Sequence, residues 1–178
     1  MQAPNPMPDL FADMGRHIGM SRPAGQCLGM IWRAAQAPCA DDLTVSLGLS
    51  RSNVSTALKE LREWGLISVA RAPGDRKEYF TAPSEAWALI RAIIAARHRR
   101  AVVPLIDRLL AEETRSPDAR IAALHSALED VSAWMAELGA MTPYDLANRF
   151  HTEPTQSSPQ KRAKKKKKGK GKSKALKT

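Results

Sequence analysis

Between positions 51 and 62 the chain carries Arg51, Ser52, Asn53, Ser55, Thr56, Lys59 and Arg62. A second basic group follows at Arg71, Arg76 and Lys77, with Asp75 among them. An Asn side chain pairs bidentately with adenine. Ser and Thr bond phosphates or bases without selection, and Lys and Arg neutralise phosphates. The chemistry on offer is hydrogen bonding and charge neutralisation along a nucleic acid. Covalent chemistry has no comparable set. The histidines His17, His98, His125 and His151 stand singly, and Cys27 and Cys39 lack zinc-ligand spacing with any of them. No Gly-rich phosphate loop, His-Glu-x-x-His motif or nucleophile elbow occurs. We expect no enzyme, no metal, no cofactor, and two reduced, mostly buried thiols.

The polar row needs a helix with one buried side. At about 100° per residue, Ala57, Leu58 and Leu61 fall within roughly 60° of Val54. Ser52, Thr56, Lys59 and Glu63 fall opposite, flanked by Asn53, Ser55 and Glu60. Ser50 caps this helix, expected over 51–64, and Gly65 ends it. Asp41 or Asp42 opens a shorter helix ahead of it, with Leu43 and Leu47 at i and i+4 and Gly48 at its end. LISVAR (66–71), APGD (72–75) and RKEYFTA (76–82) then read as two strands around a Pro-Gly turn. A helix-turn-helix followed at once by a basic hairpin is a DNA-reading unit whose second helix enters the major groove. Ser52, Asn53, Ser55 and Thr56 occupy the half of the helix that faces base edges. Lys59 and Arg62 suit phosphates, and Arg51 joins this set. Of the hairpin residues, Arg71, Arg76 and Lys77 suit a minor groove. Asp75 would repel phosphate, so it is expected to orient an arginine or cap the turn.

Around this unit the chain is mostly helical. Residues 1–8 are Pro-rich, and a short helix from Asp9 to about Ile18 shows an edge of Leu10, Met14 and Ile18. Ser21 caps a helix to about Ala37, with Pro23 in its first turn and Ala24, Leu28, Ile31 and Ala35 on one face. A long helix spans 84 to about 115, kinked at Pro104. Another runs from Asp118 to Gly139, and a last one from Thr142-Pro143 to about Phe150. Charge is divided sharply. The whole chain carries 28 Lys+Arg and 18 Asp+Glu, a net +10. Residues 152–178 alone hold 11 Lys/Arg and one acid, so residues 1–151 are neutral. The tail composition cannot bury a core and is expected to be disordered. We divide the chain into 1–20, an N-terminal extension with a short helix; 21–83, the winged helix-turn-helix; 84–151, a helical dimerisation region; and 152–178, the tail. The expected fold is mainly α, with a two-stranded wing and long C-terminal dimerisation helices.

The segments SRPAGQCLGMIW (21–32), LGLSRSNVSTALKELREWGLI (47–67) and APGDRKEYF (72–80) resemble the MarR family of winged helix-turn-helix transcriptional regulators. More narrowly, they resemble its GbsR-like branch, associated with glycine betaine synthesis. The resemblance extends over residues 21–115. It implies a homodimeric bacterial DNA-binding repressor or activator that responds to a small ligand. It also implies base and phosphate contacts at Ser52, Asn53, Ser55, Thr56 and Lys59, and wing contacts at Asp75 and Arg76. Two features depart from the family pattern: Thr44 stands where a small residue is usual, and the lysine tail is additional.

Ile121, Leu124, Leu128, Val131, Met135 and Leu138 form a heptad seam, spaced 3, 4, 3, 4, 3. The seam suits a helix packed against its symmetry mate, or against the 84–115 helix. The tryptophans Trp32, Trp64, Trp87 and Trp134 raise the idea of an aromatic cage for a cationic effector, but core packing is the simpler reading and no ligand residue is assigned. The expected partners are double-stranded DNA, a second copy of the chain and an unidentified small-molecule effector. No apolar run approaches the roughly 18 residues of a membrane span, and the N-terminus lacks secretory signal features, so a cytoplasmic protein on the bacterial nucleoid is expected. A nucleoid-associated protein of weak sequence preference and a winged helix used only for protein contacts are the rival readings.

Overall fold

The computed structural model describes residues 6–71 and 74–151. Residues 1–5, Ala72 and Pro73, and the lysine-rich segment 152–178, on which the expected tail falls, lie outside the described residues. The fold is mainly α with one antiparallel two-stranded wing.

The first helix, α1, spans Met7–His17, two residues earlier than expected. Pro6 and Pro8 fit there because the first turn of a helix has no internal use for their missing N–H groups. Its buried face is Pro8, Phe11, Ala12 and Gly15; of the predicted edge, Met14 and Ile18 pack half-buried against the core and Leu10 does not. Leu10 is 57% exposed. The reason lies in the next helix, α2 (Arg22–Arg33). A Cβ on its Gly25 would sit 2.6 Å from the Ala12 Cα, so only glycine allows the two backbones to approach. Ser21 caps α2, accepting from the Ala24 N–H at 3.3 Å. This helix stops short of Ala37 because residues before Pro38 turn extended. The Pro38 carbonyl accepts the Phe80 N–H at 3.0 Å, and Cys39 pairs with Tyr79 across from the wing.

Helices α3 (Ala40–Leu47) and α4 (Arg51–Trp64) follow, joined through Gly48 in the left-handed conformation. At the end of α4, Gly65 has φ 71°. Its N–H bonds the Arg62 carbonyl at 2.9 Å, and the Leu66 N–H bonds that of Leu61 at 3.0 Å. This Schellman closure carries Leu66 and Ile67 into the core, so the strand expected from 66 begins only at Ser68. The strands are β1 (Ser68–Ala70) and β2 (Tyr79–Thr81), in register Ser68–Thr81, Val69–Phe80 and Ala70–Tyr79.

The expected long helix is broken into α5 (Ala86–Arg97), a π-helical turn at His98–Val102 and α6 (Val103–Arg115). Pro104 lies just past the turn and has no N–H to give to the Arg100 carbonyl. The ladder slips there, and the Val103 N–H bonds the His98 carbonyl five residues back. Helix α7 (Ala119–Ala140) packs back along α5 and α6, and α8 (Pro143–His151) closes on α5. The contacts Ala95–Gly139, His98–Ser132 and Glu113–His125 show that α7 runs antiparallel to them. Gly139 does not end α7. It lies one residue inside, where an added Cβ would meet the Ala95 Cβ at 3.3 Å.

One core holds the first five helices and the wing together, with Phe11, Leu28, Leu61, Trp64, Leu66, Phe80 and Ile93 among its members. Leu43, Val54 and Leu61 are fully buried, as two short crossed helices require. Cys27 and Cys39 are free and buried, and burial pushes the Cys27 thiol up to about 12.

Candidate nucleic-acid interface

Helix α4 has the two sides that its sequence demands. Val54, Ala57, Leu58, Leu61 and Trp64 are buried. Arg51, Ser52, Asn53, Ser55, Thr56 and Lys59 are exposed together on the other side. Ser50 fixes the start of the row by accepting the Asn53 N–H at 3.2 Å, and its hydroxyl meets that of Ser52 at 3.0 Å. The Asn53 side chain therefore plays no part in the cap. The helix N-terminus adds unpaired N–H groups and a partial positive charge to the same end.

Two residues on the polar side brace the helix. Glu60 accepts the Ser21 N–H at 2.9 Å and the Ser21 hydroxyl at 2.5 Å, tying α4 to the cap of α2. Glu63 pairs with Arg100 at 3.7 Å. Arg100 and Arg99 both project from the π turn onto the last turn of α4. The Arg100 guanidinium lies 5.4 Å from the Trp64 ring centre, and Arg99 donates to the Trp64 carbonyl at 3.4 Å. The sequence offered no sign of this contact, because it depends on where the π turn points.

The cations of the interface fall into two groups. Lys59 and Arg76 are exposed, and no ion pair engages either among the described residues. Arg51 and Lys77 lie 3.4 and 3.8 Å from the Asp41 carboxylate. Arg62 and Arg71 share the Glu78 carboxylate, with Arg71 at 2.7 Å. Arg62 also lies over the Phe80 ring, 5.3 Å from its centre. The two guanidinium bonds, Arg71 first, hold the Glu78 carboxyl below its ordinary range. The bridge is thus present at neutral pH and is lost as pH falls through that lowered value.

Asp75 turns inward on the wing. It accepts the Lys77 N–H at 2.9 Å and the Tyr79 hydroxyl at 2.7 Å. These bonds, the backbone one first, hold its carboxyl below the usual range. The turn-capping expectation matches this arrangement. Gly74 beside it has φ 81°, a conformation open to glycine.

The heptad seam is split. Leu138 is buried and Ile121, Leu128 and Met135 are half-buried, whereas Leu124 and Val131 are 51% and 45% exposed. The tryptophans are dispersed. Trp64 is buried at the end of α4, Trp32 packs on Phe11 with centroids 5.5 Å apart, Trp87 stacks on Phe150 at 5.7 Å, and Trp134 is 49% exposed. Trp134 thus departs from the core-packing expectation, and no two of the four form a cage. No helix among the described residues is long and apolar enough to cross a membrane.

A buried-backed α4, an exposed polar row and an adjoining wing define a winged helix-turn-helix. Residues 18–78 match the model of the MarR family, from just after α1 to the residue before β2. A solved structure described as a transcriptional regulator is similar at 23% identity, over 81% of this chain and 95% of that one, with a TM-score of 0.60. This likeness concerns the fold. The transcriptional regulator Tm0710 from Thermotoga maritima is similar at 17% identity, over 76% of this chain and 91% of that one, with a TM-score of 0.38. No curated protein matches.

Proposed function

We propose that the protein is a sequence-specific DNA-binding transcriptional regulator of the MarR type. The observation that carries this reading is the exposed row Ser52, Asn53, Ser55, Thr56 and Lys59 on a helix whose other side is fully committed to the core. Such a helix is held rigidly and offers donors and acceptors of the kind that read base edges. Arg76 on the wing supplies a cation for the neighbouring backbone or minor groove. Arg51, Arg62, Arg71 and Lys77 surround these groups as phosphate ligands, and Asp75 shapes the turn that presents Arg76.

The protein acts as a homodimer in this proposal. Leu124 and Val131, with Leu105 and Leu110 of α6, leave apolar surface uncovered in a single chain, and a second copy would bury it. Two-fold symmetry would then match a pseudo-palindromic site. A role as repressor or activator, a GbsR-like place and response to a small ligand are what the resemblance of residues 21–115 implies, and of the two signs we favour repression. The second reading, a nucleoid-associated protein, draws on the 11 Lys/Arg of residues 152–178. Enrichment of binding sites from a random duplex pool, at physiological salt with excess competitor, separates the two. A regulator yields one pseudo-palindromic motif. A tail-dominated protein yields none.

A further inference from the structure

The position of Glu78 follows from the pleat. It lies two residues before Phe80, so both project to the same side of the wing, and that side faces α4. Just beyond the last ladder pair, Ala70–Tyr79, the Arg71 side chain reaches Glu78. Arg62, on the last turn of α4, comes from the other side. The carboxylate thus accepts from the recognition helix through one oxygen and from the wing through the other. Each guanidinium uses one nitrogen in this bridge, and Arg62 and Arg71 remain 42% and 69% exposed. An arginine has five N–H donors, so both keep donors for a phosphate.

We propose that Glu78 is a specificity-determining positioning residue, which locks Arg62 and Arg71 into one geometry so that helix and wing engage DNA in a fixed register. The inference rests on the DNA-binding function proposed above. Glu78→Gln removes a negative charge beside a polyanion, so Coulomb attraction alone would tighten binding to every duplex. Loss of the lock instead frees two arginines to meet phosphates in many arrangements. The preferred site then loses affinity, and random DNA does not.

The test measures the affinity of the full chain and of Glu78→Gln for the enriched duplex and for its scrambled version. Arginine Nε–Hε signals are recorded by NMR in the absence of DNA. The expected result is about a tenfold fall in the ratio of specific to random affinity, the scale of one lost charge-assisted hydrogen bond. Affinity for random DNA stays equal or rises, and the Arg62 and Arg71 signals move to those of mobile surface arginines. Glu78→Asp, which keeps the charge, recovers part of the ratio. An unchanged ratio overturns the inference, whether both affinities rise together or both fall together. A wild-type chain with no preferred duplex overturns the proposed function and this inference with it. A wild-type preference that Glu78→Gln retains in full overturns the inference alone.

Discussion

Replacing Asn53 by Ala isolates base reading from folding. The Asn53 backbone N–H bonds the Ser50 hydroxyl, and this bond survives the substitution. The side chain is exposed, and no core residue depends on it. Exposed substitutions of this kind usually change stability by no more than about 0.5 kcal/mol, and Ala favours a helix over Asn by a similar amount. The fold should therefore be unaffected or slightly firmer. A lost bidentate base contact costs on the order of 1–3 kcal/mol, or roughly a 5- to 150-fold loss of affinity at the preferred site. Random DNA offers Asn53 no fixed partner and should lose far less. The assay is fluorescence anisotropy on specific and scrambled duplexes at one salt concentration, beside a thermal melt. Equal loss on both duplexes, with an unchanged melt, would refute base reading by Asn53. A lowered melting temperature would refute the account of the cap.

Three further outcomes follow. Leu61→Ala, in a fully buried position, should cost about 2–5 kcal/mol and lower the melting temperature of the whole winged unit; a change near zero would show that this core is loose. Val131→Asp should give a folded monomer by sedimentation, because Val131 is 45% exposed in the single chain, whereas half-buried Leu128→Asp should also lower stability by placing a carboxylate among apolar neighbours; a folded dimer of unchanged affinity in both would remove the seam from the interface. Deleting residues 152–178 should weaken binding to every duplex without moving the preferred site, and should flatten the log–log salt slope by about 4 to 5 per bound tail if roughly five cations meet phosphates; identical slopes with and without the tail would leave it no part in binding.

Helix α4 was legible in the sequence because its information is local. Ser50, Gly65 and the spacing of Val54, Leu58 and Leu61 fix its ends and its buried side within one element. The wing was legible as a hairpin, although its strands proved shorter, since Leu66 and Ile67 serve the helix terminus instead. What the sequence hid is non-local. The face of α1 is centred by close approach to Gly25, which leaves Leu10 exposed while Met14 and Ile18 of the same aliphatic repeat pack half-buried against the core. The π turn follows from Pro104, but its contact with Trp64 depends on how α5 packs. Glu78 resembled any surface acid until the packing of the wing on α4 brought Arg71 and Arg62 to its two oxygens. The heptad spacing marked an apolar stripe, yet spacing alone could not divide it into the half-buried Ile121, Leu128 and Met135 and the exposed Leu124 and Val131.

The most direct measurement is a chemical-shift map of the isotope-labelled chain, titrated with the enriched duplex. The largest perturbations should fall on Ser52, Asn53, Ser55, Thr56 and Lys59 along α4 and on Arg76 in the wing, while α7 stays unmoved. Perturbations confined to α6, α7 or residues 152–178, with α4 silent, would contradict it.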